Sequence, residues 1–160
     1  MDAVRMLVHD HEVLTSQVEH VSALIYGLVG KEFSPEPLRD ELVQQIESLK
    51  DQLLEHFGFE EEAAFPYLLS AMPEAAERLR SLAQAHDRIA RCLVEVAELA
   101  LLTTRATLGP QTGAIAAAFE RFVNHYRMHV REESDVLASM AEGLSIEQRR
   151  EFSDLAKTLV

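Results

Sequence analysis

Apolar residues recur along this chain at alternating spacings of three and four, which places about one side chain per turn on a single helix face. The first such stripe runs Leu7, His11, Leu14, Val18, Val21, Ile25, Leu28, and Gly27 and Gly30 close it. In "FSPEPL", Ser34 is placed to cap a second helix and Pro35 suits its first turn. The second stripe reads Leu38, Leu42, Ile46, Leu49, Leu53, His56, Glu60, Ala63, and Pro66 is expected to end or kink it. A short piece, "YLLSAM", leads to Pro73, which opens a third helix carrying Leu79, Leu82, His86, Ile89, Leu93, Val96 and Ala100. "TLGPQTG" is the clearest turn, and the fourth stripe follows as Ile115, Phe119, Phe122, Tyr126, His129, Glu133, Val136, Met140. Ser145 begins a last short helix, because "SIEQ" matches the reciprocal Ser-x-x-Gln cap. Strand signals are missing: β-branched runs are few, and no Asn-Gly or Asp-Gly pair marks a hairpin.

Four helices of roughly 25 residues joined by short connections pack as antiparallel neighbours. The expected fold class is therefore all-α, an up-down-up-down antiparallel four-helix bundle with a short C-terminal helix. One domain is expected over residues 1–160, with the bundle at 4–141 and the terminal helix at 145–158. No internal repeat, low-complexity tract or long linker divides it.

Composition narrows the partners. With 48% apolar and 26% charged residues the chain reads as a soluble globular protein. No apolar run approaches the ~20 residues of a membrane span, and no basic-then-apolar leader opens the sequence. A single cysteine, Cys92, excludes an intrachain disulfide, reads as buried and inert, and fits a reducing, cytoplasmic setting. The net charge of −12 argues against nucleic acid and anionic membrane, which would both be repelled.

The stripes contain residues that a core does not need. His11, His56, Glu60, His86, His129 and Glu133 stand where leucines should, and every helix of the bundle contributes at least one. Residues four apart on a helix lie about 40° apart around the axis and about 6 Å apart along it. His56 with Glu60, and His129 with Glu133, can thus reach one point from one face. His11 is near the start of its helix, His56 and Glu60 near the end of theirs, His86 early in the third, and His129 and Glu133 late in the fourth. In an alternating bundle those positions fall at one end.

Buried unpaired carboxylates are costly, and two side by side repel. Core histidines hydrogen-bonded by glutamate are the ordinary reading of any one of these residues. For six at one level, cations resolve the whole cluster at once. Two carboxylates and four imidazoles suit two metal ions bridged by the glutamates, with coordination positions left for a small ligand. Nitrogen and oxygen donors without thiolate favour iron or manganese, then zinc, over magnesium or calcium. The Glu-x-x-His pairs of ferritin-like carboxylate proteins are missing, as is the His-Glu-x-x-His motif of zinc hydrolases.

The remaining candidates are weaker. His9 lies about 200° around the helix from His11 and is the fallback ligand. His20 reads as a surface residue, and His125, one turn before His129, is the alternative source of a further ligand. Tyr126 and Phe57 read as core, with a hydrogen bond into the site open to the tyrosine. Glu61, Glu62 and Glu132 read as a solvated face, with a hydrogen bond to a ligand histidine as the alternative.

At these residues the chain resembles the hemerythrin family, specifically its bacterial HHE cation-binding group. "HDHEVL", "HFGFEEEAAFP", "AHDRI" and "HVREESDVL" are similar to that family's four helix motifs, in order, over about residues 4–141. The resemblance implies two non-heme iron ions in a four-helix bundle, with manganese or zinc as lesser alternatives. Carried over by position, His11 and His56 would hold one iron, His86 and His129 the other, and Glu60 and Glu133 would bridge them. Two positions depart from the oxygen-carrying members: the residues four away from His86 are Leu82 and Ala90, not histidine, and Ser134 stands where an aspartate is used. The expected ligand is dioxygen, or a related small oxidant such as nitric oxide or peroxide. The alternatives are a peroxidase- or ferroxidase-like enzyme, an iron-handling or repair protein, and a purely structural bundle with one zinc. Repair members commonly carry a cysteine-bearing module before the first helix, and here the first helical stripe opens the sequence.

Overall fold

The computed structural model describes residues 3–29, 36–105 and 111–157, and within them all side chains except those of residues 3–6, 8, 9, 36, 37, 103–105 and 111. The helices are α1 (Ala3–Leu28), α2 (Glu36–Phe59), α3 (Phe65–Ala71), α4 (Ala76–Arg105), α5 (Gln111–Gly143) and α6 (Ile146–Lys157). A π-helical turn, Glu60–Ala64, joins α2 to α3, and a 3₁₀ turn, Pro73–Ala75, joins α3 to α4. No strand occurs among the described residues. Nor, among them, is any helix long and apolar enough to cross a membrane.

The long helices form a ring in which α1 packs on α2 and α5, and α4 packs on the same two neighbours. Chain order is thus spatial order, as the short connections of an up-down-up-down bundle require. The stripes face inward as their spacing predicts: Leu14, Val18, Val21, Ile25 and Leu28 of α1 meet Leu42, Ile46, Leu49 and Leu53 of α2 in one apolar cluster. Ile89, Leu93, Val96 and Ala100 of α4, with Ile115, Phe119, Phe122 and Tyr126 of α5, complete it. Leu38 is half-buried at its edge, and Cys92, expected in the interior, is also only half-buried. The proposed cap at Ser34, the helix stop at Gly30 and most of the "TLGPQTG" turn lie outside the described residues.

A second apolar cluster occupies the other end, built from Leu7, Ala64, Phe65, Leu68, Leu79, Leu82, Leu137, Met140, Leu144 and Phe152. Two predicted inward positions shift by one residue here. On α5 the buried residue after Glu133 is Leu137, with Val136 half-buried beside it. An offset of four residues departs from the Glu133 direction by about 40° and an offset of three by about 60°. After Glu60 the buried residue is Ala64, whereas Ala63 is only half-buried. The cause is the π turn, closed by the Phe65 N–H donating to the Glu60 carbonyl five residues back. It holds an extra residue per turn and so delays the next inward position. Pro66, which was expected to end or kink α2, stands in the first turn of α3. There its missing N–H and its ring conflict least with the preceding turn.

The last helix starts as its motif dictates. The Gln148 N–H donates to Ser145 Oγ at 3.1 Å, and the Ser145 N–H donates to Gln148 Oε1 at 2.9 Å. α6 then lies on α1 and on the π turn, with Phe152 buried and stacked on Tyr67 at a centroid distance of 5.4 Å. The Tyr67 hydroxyl donates to the Gln148 carbonyl at 2.8 Å, tying α6 to α3. Replacing Ser145 by Ala removes half of the capping pair. It is expected to lower stability by about 1 kcal/mol, or roughly 2–4 °C in Tm, which a thermal melt would read.

Candidate metal centre

Between the two apolar clusters lies a polar layer. On each long helix it falls in the gap between them: His11 between Leu7 and Leu14, His56 and Glu60 between Leu53 and Ala64, His86 between Leu82 and Ile89, His129 and Glu133 between Tyr126 and Leu137. Apart from Thr112 of α5, these six are the buried polar residues among those described, and both carboxylates are 0% exposed. The six residues expected to converge do so.

All four imidazoles point Nε2 inward. The His11 and His56 Nε2 atoms stand 3.0 Å apart, and those of His86 and His129 stand 3.2 Å apart. Glu60 reaches both pairs, with Oε1 at 3.1 Å from His56 and Oε2 at 3.3 Å from His86. Glu133 does the same through one oxygen: its Oε2 is 3.0 Å from His11 Nε2 and 3.1 Å from His129 Nε2. The donor atoms of His11, His56, Glu60 and Glu133 lie within 4.8 Å of one another, as do those of Glu60, His86 and His129. One carboxylate belongs to both groups.

Hydrogen bonding accounts for part of this packing only, since each imidazole pair can share one proton between its Nε2 atoms. Despite the short approaches, no oxygen of Glu60 or Glu133 has a donor in hydrogen-bonding geometry, and the Nδ1 atoms of His11 and His129 also lack partners. Buried orphans of this kind cost about 1–3 kcal/mol each, and more when charged. A cation removes the conflict, because lone pairs from nitrogen and oxygen can share it. Two nitrogens on one cation at about 2.1 Å each, near a right angle, stand about 3 Å apart, which matches both imidazole pairs.

Titration behaviour points the same way. Burial, then the neighbouring His11, lowers the His56 pKa to about 4. Burial, then His129, lowers that of His86 to about 3. Both rings are therefore neutral near pH 7, the form that binds metal. Burial, reinforced by the charge of Glu133, pushes Glu60 well above the usual carboxylate range. Burial works against ionised Glu133 as well, but His11 and His129 at its Oε2 hold it well below that range. Two buried carboxylates so placed share one proton unless positive charge enters.

Surrounding groups fix the rings. Phe57 lies parallel to His86 with centroids 3.9 Å apart and meets His129 edge-on at 5.6 Å. Phe65 also lies nearly parallel to His86, at 5.7 Å. Tyr126 is buried in the first cluster, and its hydroxyl donates to the His11 carbonyl at 3.4 Å and lies 3.3 Å from Thr15 Oγ1. It braces α1 beside His11 and does not enter the site.

Glu61, expected first as part of a solvated face, takes the alternative role. His86 Nδ1–H donates to its Oε1 at 2.7 Å, while Glu62 and Glu132 are exposed. The legible signal was its position, one residue or about 100° round from Glu60, toward α4. His125 and His20 are exposed, and His125 belongs to neither donor group. The side chain of His9 lies outside the described residues. Leu82 is buried in the second cluster and Ala90 is half-buried, so no further imidazole on α4 faces the site. The Ser134 hydroxyl donates to the Val130 carbonyl at 2.7 Å, within its own helix.

Comparison with known proteins adds one finding. The family model described as the hemerythrin HHE cation binding domain matches residues 2–144, which span α1 to α5 and end before α6. Searches of curated proteins and of solved structures find no match. With the four helix motifs in order, the bundle around them and the His/Glu layer between its two cores, the chain belongs to the hemerythrin HHE cation-binding family.

Proposed function

We propose that His11, His56, Glu60, His86, His129 and Glu133 hold two iron ions, and that the loaded protein binds or senses dioxygen or a related small oxidant such as nitric oxide or peroxide. The observation that carries this reading is the pairing of donors: two imidazole pairs, each closed on itself, with two carboxylates reaching both. His11 and His56 would hold one ion, His86 and His129 the second, and Glu60 and Glu133 would bridge them. Imidazole and carboxylate donors without thiolate suit iron ahead of zinc, and Cys92 is in neither donor group. When bound, an iron pair would supply the electrons for reaction with a small oxidant.

The chain's own residues supply the rest. Phe57, Phe65 and the two apolar clusters wall the layer from water, which limits access to small molecules. Burial keeps the His56 and His86 imidazoles unprotonated and free to donate. Among the described side chains four histidines face the layer, one from each long helix, and the α4 and α5 positions that differ from oxygen carriers offer no further donor. That favours sensing or turnover over reversible carriage.

The test is spectroscopic. Iron-loaded protein, reduced without oxygen and then aerated, is expected to gain near-ultraviolet and visible absorption within the time of mixing. An unchanged spectrum with iron still bound would refute the oxidant reading. Peroxide consumed in large excess over bound iron would instead assign the protein to catalysis.

A further inference from the structure

The four inward-facing imidazoles are not held alike. Among the described residues, only His86 of the four has a carboxylate on its outer nitrogen, Glu61 at 2.7 Å. The Nδ1 atoms of His11 and His129 are buried with no partner. His86 is also the ring on which Phe57 lies flat. The Glu61 side chain is 44% exposed, so a surface carboxylate is coupled through one ring to a donor atom that faces Glu60.

We propose that Glu61 is a positioning residue for His86, and that it makes the His86/His129 cation position unlike the His11/His56 position. The inference rests on the metal-binding reading above. An acceptor on Nδ1 fixes the tautomer, leaving the Nε2 lone pair free and aimed inward. A carboxylate acceptor also makes the ring a stronger donor, and loss of such a partner weakens metal binding by about 10–100-fold. The effect is confined to one position, because Glu61 touches one of the four rings. The π turn matters too: it seats Glu60 in the interior while Glu61, the next residue, lies against α4.

The experiment uses cobalt(II) as the probe. Wild-type protein, Glu61→Ala and Glu61→Gln are stripped by chelation and titrated by calorimetry and visible absorption. Exchangeable imidazole N–H protons are followed by paramagnetic NMR. Wild type is expected to take two ions. Glu61→Ala should bind one as wild type does and the other about 10–100-fold more weakly, with faster solvent exchange of one N–H signal. Glu61→Gln keeps an acceptor oxygen and should recover most of the lost affinity and slow that exchange again. Stripped Glu61→Ala should melt somewhat below wild type, because the buried His86 Nδ1–H loses its acceptor, and Glu61→Gln should regain most of that loss, so all titrations are run well below both melting temperatures. A Glu61→Ala titration superimposable on wild type overturns the proposal, as does equal weakening of both steps. Wild-type protein that takes up no cobalt refutes the metal-binding reading itself.

Discussion

Glu60→Gln is expected to leave a protein that binds metal at least about a thousandfold more weakly yet melts at a higher temperature when metal-free. The first effect follows from charge. Glu60 is fully buried, with an oxygen toward each imidazole pair, so its ionised form would face both cations. Even at 4 Å and an effective dielectric of 20, a pair of unit charges attracts by about 4 kcal/mol, or about a thousandfold in affinity. The second effect has the opposite sign because, without metal, burial and the neighbouring Glu133 push Glu60 well above its usual range, so folding at neutral pH must first protonate it. Glutamine is neutral without taking up a proton, so the variant avoids a cost of about 1.4 kcal/mol for each pH unit above the ordinary carboxylate pKa, worth roughly 2–4 °C in Tm per kcal/mol. Isothermal titration and melting of the stripped proteins would measure both. A variant that loses stability without metal would mean that Glu60 holds the bundle together by ordinary hydrogen bonds.

Chelation of the wild-type protein is expected to lower its melting temperature by about 10 °C. A ligand present at about a thousand times its Kd stabilises the state that binds it by about 4 kcal/mol, and each kcal/mol moves Tm by roughly 2–4 °C at this size. The two apolar clusters do not depend on metal, so the stripped chain should remain helical and fold around a strained polar layer. Re-addition of iron(II) without oxygen should restore the lost stability. Equal melting before and after chelation would mean that the histidine layer is self-sufficient.

The bundle and the layer were legible because both depend on periodicity. A stripe that reads Leu, His, Leu at helical spacing dictates an inward histidine whether or not its purpose is known, and His11, His56, His86 and His129 all obey. Glu60 and Glu133 followed from the same count. What periodicity does not carry is any departure from 3.6 residues per turn or any contact made across helices. Ala64 replaced Ala63 because the chain widens into a π turn beside Glu60, and no residue type there announces it except Pro66, which needs a preceding turn that tolerates its ring. Leu137 in place of Val136 lay within reach of the count, since four residues on from Glu133 is closer to its direction than three, and both residues are apolar. Glu61 was ambiguous because three consecutive glutamates look alike in sequence, and only the docking of α4 places His86 beside the second of them. The capping pair of Ser145 and Gln148, a purely local motif, formed as written.

The central claim is that this polar layer is a two-cation site, and metal-resolved crystallography of protein purified without oxygen tests it most directly. Anomalous difference maps collected on either side of the iron absorption edge should show two peaks per chain. One belongs beside His11 and His56, the other beside His86 and His129, with Glu60 and Glu133 between them. A layer with no peak, or with one ion serving all four imidazoles, would contradict the account.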